Sequence, residues 1–263
     1  MKKQYLLLTL IALTITTTLQ AQNDSIYFWK SGALLEKRSI KTADLDSITF
    51  RRPVANPVTT QVTICNQIWS TKNLDVTTYS DGTPIPQVTD PTAWANLTTG
   101  AWCYYNNDPA NGAVYGKLYN WYAAAGIYDA ASLANPTLRK KLVPTGWHVP
   151  TDAEWSMLIN CLDPNANGGT TTNIAGDKMK STTLWTPYSG IINTNSSGFT
   201  GLPGGYRFSL GTFSLIGNRG NWWSSSEDST IYAWSRYLHC CGSTADRYSN
   251  VKALGFSVRC LRD

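Results

Sequence analysis

The sequence is short of charge. Lys, Arg, Asp and Glu make up only 15% of its 263 residues, and the formal net charge is +5. Basic residues adjoin only at the N-terminus and at Lys37-Arg38, Arg51-Arg52 and Arg139-Lys140-Lys141. The concentrated basic stripe of a nucleic-acid surface is therefore missing. Histidine is scarcer still: His148 and His239 are the only two, and neither has a GxSxG serine to serve. The six cysteines form no CxxC pair, which argues against a structural zinc site. Beyond the N-terminus no stretch approaches about 18 consecutive apolar residues, so no membrane span is expected in the mature chain. Internal repeats are absent as well.

Aromatic rings, in contrast, are plentiful. They are 12% of the chain, with 11 Trp and 14 Tyr. Few charges and many large rings favour burial and exclude a disordered chain. Packing within a fold poor in regular structure is the main role expected of the tryptophans, with ligand stacking at the surface as the alternative.

The first 21 residues read as an export signal. Lys2 and Lys3 make a positive start, Tyr5 to Leu13 is mostly apolar, and Leu19-Gln20-Ala21 offers a cleavage site. The apolar stretch is too short and too rich in threonine to cross a bilayer of about 30 Å. Cleavage after Ala21 removes two lysines and no acid, taking the charge from +5 to +3. With no cysteine at that point, a lipoprotein anchor is not expected. The expected location is secreted or cell-surface, where disulfides are permitted. Cys65, Cys103, Cys161, Cys240, Cys241 and Cys260 allow 15 connectivities.

Residues 22–57 read as a short β appendage and linker. Ser25 to Lys30 is a strand candidate turned at Ser31-Gly32, Leu34-Leu35 returns, and Ser47-Ile48-Thr49-Phe50 is a second strand. This pattern resembles a short segment common near the N-termini of exported Bacteroidetes proteins. Pro53 and Pro57 mark the linker. Residues 58–263 read as one module. Val62 to Ser70 is an opening hairpin around Asn66, and Trp102 to Tyr105 is a short strand. Tyr115 to Ala125 is a helix candidate with Leu118, Trp121, Tyr122 and Ala125 on one face. Thr151 and Glu154 have capping-box spacing. The stripe Trp155, Leu158, Ile159 and Leu162 then makes a helix of about three turns. Past Gly168-Gly169, strands are expected at 198–200, 204–208, 221–225, 232–238 and 255–260. Two early helices followed by glycine-rich antiparallel strands give an α+β class.

Seven blocks in order carry a family resemblance: Gln67 to Leu74, Tyr104 to Asp108, Tyr115 to Ala124, Pro144 to Trp155, Leu202 to Arg207, Asn221 to Glu227 and Gly255 to Asp263. Together they resemble the Fibrobacter succinogenes major paralogous domain over about residues 62–263. That family is abundant in exported proteins of Bacteroidetes and Fibrobacteres. More distantly, Val149 to Trp155 and the Gly255-Phe256 to Arg259-Cys260 ending resemble the formylglycine-generating, sulfatase-modifying group. That likeness implies a C-type-lectin-like module with two helices, twisted antiparallel strands, long loops and ends that meet in one sheet. Family members usually carry a cysteine where this chain has Val143. The lectin-like resemblance then implies Cys161 on the capped helix as the partner of Cys260, leaving Cys65–Cys103 and one of Cys240 and Cys241 open.

No catalytic constellation stands out. Adjacent Cys240 and Cys241 do not reproduce the separated pair of the formylglycine-generating enzymes, and the expected reading of them is a disulfide partner plus a spare, or a strained vicinal bridge. His148, beside the helix cap, suits a structural hydrogen bond. No pair of carboxylates suits glycoside hydrolysis, since Glu227 and Asp228 are neighbours and Asp152 and Glu154 sit at a helix start. No cofactor is implied; calcium is the one candidate ion, at an oxygen-rich cluster of Asn106, Asn107, Asp108 and Asn111. The alternative for that cluster is a turn of Asx side chains bonding their own backbone. Ligand-contact candidates are Trp222, Trp223, Trp234, Tyr206 and Arg207. Adjacent strand residues point to opposite faces, so at most one of Trp222 and Trp223 enters the core of a one-sided sheet. The expectation is a non-enzymatic extracellular binding or adhesion module for a glycan or protein. The alternatives are a sulfatase-modifying type of enzyme and a structural surface-layer component.

Overall fold

A computed structural model describes residues 60–263 in full and, before them, the backbone of two strands. Those strands, β1 (Ser25–Lys30) and β2 (Ala33–Ser39), pair antiparallel from Ser25↔Ser39 to Lys30↔Ala33, as the turn at Ser31-Gly32 leads one to expect. The residues expected to form a leader, the strand expected at Ser47–Phe50 and the expected linker lie outside the described residues. The chain divides into two compact units, residues 1–52 and 53–263.

The second unit opens with the expected hairpin, β3 (Gln61–Ile64) and β4 (Gln67–Ser70). Cys65 turns it in the left-handed region, with φ of 52°. β4 pairs with β13 (Leu261–Arg262), which pairs with β7 (Trp147–His148), giving the order β3-β4-β13-β7. Both ends of the unit therefore meet in one sheet. A second sheet has the order β12-β11-β10-β8-β9: Ala245–Val251, Tyr232–His239, Arg219–Glu227, Gly204–Arg207 and Phe213–Ile216. Only the β10–β8 pair is parallel. A small ladder joins β5 (Trp102–Cys103) and β6 (Leu118–Tyr119).

The described residues hold six helices rather than two: α1 (Pro91–Ala95), α2 (Pro109–Tyr115), α3 (Trp121–Ala124), α4 (Ala130–Ala134), α5 (Asp152–Leu162) and α6 (Ala175–Met179). The class is α+β. In α5 the capping box is formed, with Thr151 Oγ1 accepting from the Glu154 amide and Glu154 Oε2 accepting from the Thr151 amide at 2.7 Å. Its face Trp155, Leu158 and Ile159 is buried. The single helix expected over Tyr115–Ala125 is broken. Gly116 ends α2 at φ 76°, where an added Cβ would lie 3.0 Å from the Leu74 carbonyl oxygen. Leu118 and Tyr119 then extend to pair with β5, and Asn120 caps α3. The expected apolar stripe is divided between two cores, Leu118 beside Trp94 and Trp121 beside Trp223.

Nine of the ten tryptophans in this unit are buried. One core gathers Trp69, Trp155, Phe199 and Trp222 under α5; another gathers Trp102, Trp121, Trp223 and Phe256. Trp222 and Trp223 do point to opposite faces of β10, but both faces are covered there, and both indoles are fully buried. The expected Cys161–Cys260 bridge is not formed. Cys161 pairs with Cys65, tying the β3–β4 turn to the last turn of α5. Cys260 is unpaired and buried in the Trp121 core, whereas Cys161 is exposed at the last turn of α5, the helix that packs on the Trp69 core. Cys103 is unpaired and buried with Trp94.

Candidate ligand-binding site

The register of the five-stranded sheet places a cleft on one of its faces. Asn221 on β10 lies opposite Tyr237 on β11, which lies opposite Asp246 on β12. Alternation then puts Arg219, Asn221 and Trp223 on one face with Ser235, Tyr237, Tyr248 and Asn250. At the Trp223 end this face is sealed by the Trp121 core. Toward Arg219 it opens into a cleft of about 230 Å³, walled by Tyr206, Phe208 and Phe256 on one side and by Tyr237 and Tyr248 on the other.

The walls are aromatic. Tyr237 and Tyr248 sit with ring centroids 5.4 Å apart, and Tyr206 meets Phe208 at 4.8 Å and Phe256 at 6.0 Å, the last nearly perpendicular. Arg219 lies 4.8 Å over the Tyr237 ring. Tyr248 is 55% exposed and Phe208 is 41% exposed, so two ring surfaces are open to solvent. Burial, and then the negative charge of Asp246, push the Tyr237 hydroxyl up to about 12. It stays protonated at neutral pH and can donate or accept.

The floor is polar. Asn221 is only 5% exposed, yet its Nδ2 has no hydrogen-bond partner. Such a buried donor costs about 1–3 kcal/mol while it stays unpaired. Asn250 is positioned by its own bond, Nδ2 donating to Ser235 Oγ at 2.9 Å, while Ser235 Oγ donates to the Tyr248 carbonyl at 3.1 Å. Stacking surfaces around an unsatisfied amide can hold a ligand with one flat apolar face and a hydrogen-bond acceptor.

Of the residues singled out in the sequence, only Tyr206 lines this cleft. Trp222 Nε1 donates to Asn73 Oδ1 and Trp223 Nε1 to the Tyr119 carbonyl, both at 2.9 Å inside the core, so neither indole offers a platform. Trp234 lies on the opposite face of β11, with the Arg247 guanidinium 3.3 Å from its ring centre. Arg207 is fully buried; it donates to the carbonyls of Val88, Thr89 and Gly211 and stacks on Trp94. Around Asn106, the Asx side chains bond backbone: Asp108 caps α2, Asn107 donates to the Thr89 carbonyl and Asn111 to the Tyr105 carbonyl. Among the described residues no cluster of three or more His, Cys, Asp or Glu side chains is set to hold a metal ion.

His148 makes the expected structural bonds, to Asp263 Oδ1 at 2.7 Å and to Glu154 Oε1 at 2.9 Å. It borders a second, more open hollow of about 320 Å³. There Lys140 is already paired with Asp81 at 2.6 Å and Arg139 approaches Glu227 at 3.7 Å, so two of its cations are engaged. Apart from Tyr206, the residues that make the first cleft escaped sequence reasoning for a definite reason. Tyr248 and Asn250 lie on β12, a strand of mixed polar residues with little alternation to read, and Asn221 was visible only as a neighbour of two tryptophans.

No curated protein and no solved structure matches the chain. Residues 62–262, nearly the whole unit that carries this cleft, match the Fibrobacter succinogenes major domain, and the chain belongs to that family.

Proposed function

We propose that this chain is an exported, non-enzymatic binding module, acting outside the cell or at its surface, and that it holds its ligand in the cleft on the five-stranded sheet. One observation carries the reading: a nearly buried, unpartnered Asn221 amide lies at the base of an opening walled by exposed aromatic rings. Glycans and extended peptides both present an acceptor oxygen beside an apolar face, and both fit that chemistry. The leader-like first 21 residues support export. The meeting of the unit's two ends in one sheet, with loops carrying much of the chain, supports a C-type-lectin-like scaffold.

Glycan and peptide arrays probed with the purified chain test this. Binding is expected to at least one class, and Tyr248→Ala should weaken it by about tenfold, equivalent to about 1.4 kcal/mol. That residue is more than half exposed, so the fold should be untouched. Binding that ignores both Tyr248→Ala and Tyr237→Ala would remove the cleft from consideration.

A further inference from the structure

The turn between β11 and β12 carries Cys240 and Cys241, which take part in none of the contacts described above. Their Sγ atoms lie 2.8 Å apart, inside the contact distance of two unbonded sulfurs and approaching the S–S bond of about 2.05 Å. Cys240 is buried and Cys241 is exposed. The turn around them is held from several sides. Lys180, fully buried, donates Nζ to the carbonyls of His239 at 3.3 Å and Gly242 at 2.7 Å, the residues on either side of the pair. The Cys240 amide donates to the Asn218 carbonyl at 2.9 Å, and its thiol approaches Asn218 Oδ1 at 3.4 Å. Chelation of a metal is not favoured, because no cluster of three or more ligating side chains occurs among the described residues.

We propose that Cys240 and Cys241 form a redox-active vicinal pair, which closes to a disulfide by exchange with an external disulfide of a small thiol or a dithiol protein. The exposed Cys241, as thiolate, attacks one sulfur of the external disulfide. That bond breaks, a mixed disulfide forms on Cys241, and one external thiolate leaves. Cys240 loses its proton and attacks Cys241 Sγ, and the second external thiolate leaves. In total the two protein thiols lose two electrons and two protons, and the external disulfide gains them as two thiols. Burial and the adjacent Cys241 raise the Cys240 thiol, and the nearby Lys180 charge offsets only part of that rise, so the exposed Cys241 is the sulfur placed to attack first. The other two unpaired cysteines are poor competitors. Burial pushes Cys103 up to about 11 and Cys260 up to about 12, and both are out of reach of solvent. The proposal is independent of the binding cleft.

The test equilibrates the full chain with graded mixtures of reduced and oxidised glutathione, blocks free thiols with N-ethylmaleimide under native conditions, and maps the peptides by mass. Toward oxidising mixtures, the peptide with Cys240 and Cys241 should pass from alkylated to unalkylated and lighter by two hydrogens. Cys103 and Cys260 should label only after unfolding. In Cys240→Ser, Cys241 should retain a glutathione adduct that the parent chain loses. The idea is overturned if the pair stays alkylated in oxidising mixtures or stops at the adduct. A link from either cysteine to Cys103, Cys260 or a second chain would overturn it equally.

Discussion

At the scale of single residues, Asp152 shows how a chain with few charges uses them. It opens α5, and its carboxylate accepts from Arg236 Nη1 at 2.7 Å and from Arg247 Nε and Nη2 at 2.9 and 2.8 Å. Arg236 is only 1% exposed, so without Asp152 a buried cation is left with carbonyl and hydroxyl partners alone. Asp152→Asn should therefore cost about 3 kcal/mol or more, read from urea unfolding. Burial alone would raise this carboxyl, but the bonds from Arg247 and Arg236 outweigh it and hold it below the ordinary value. A folded value below the unfolded one, about 3.9, means the stabilisation is complete above that pH. It is lost as pH falls through the lower folded value. Acid titration of unfolding should show a decline below about pH 4 that is shallower in Asp152→Asn. Asn221→Leu makes the opposite case: exchanging an unpartnered buried amide for an apolar side chain of similar size should leave stability unchanged or raised, while abolishing ligand binding. The sequence places Asp152 at a helix start but holds no local sign of arginines 84 and 95 residues away.

At the scale of elements, α5 was legible because its signals are local. The cap, the first-turn acids and the apolar stripe all lie within twelve residues, and the structure forms each of them. The hairpin β3–β4 was legible for the same reason. The segment from Tyr115 to Ala125 was not, because its helical spacing is overruled by a strand partner at Trp102-Cys103 and by a close approach at Gly116. The partner of Cys161 was hidden likewise, since no local signal says that the exposed β3–β4 turn comes beside the last turn of α5. The Cys65–Cys161 bridge spans 96 residues of sequence. By constraining the unfolded chain over that loop it should contribute about 2–4 kcal/mol. The double variant Cys65→Ser, Cys161→Ser should lose that amount in denaturant unfolding while keeping the near-ultraviolet dichroism of its packed tryptophans. An unchanged midpoint would show that the loop is already restricted before folding.

At the scale of the whole molecule, the unit from residue 53 onward is closed by its own last residues. β13 is two residues long, yet it lies between β4 and β7 and is the only link between them in that sheet. Leu261, 3% exposed, also packs in the core with Trp69 and Trp155. Just before it, the buried Arg259 donates to the carbonyls of Ser70, Phe199 and Thr200, tying two distant segments to the end of the chain. Loss of the end should therefore be felt throughout, while loss of the first unit should not, because the two units are compact separately. A chain beginning at Pro53 should unfold in one transition within a few degrees of the full-length midpoint, followed by tryptophan fluorescence. A chain ending at Cys260 lacks β13 and should lose that transition or melt far lower. If both truncations behave alike, the closing strand is not what holds this unit together.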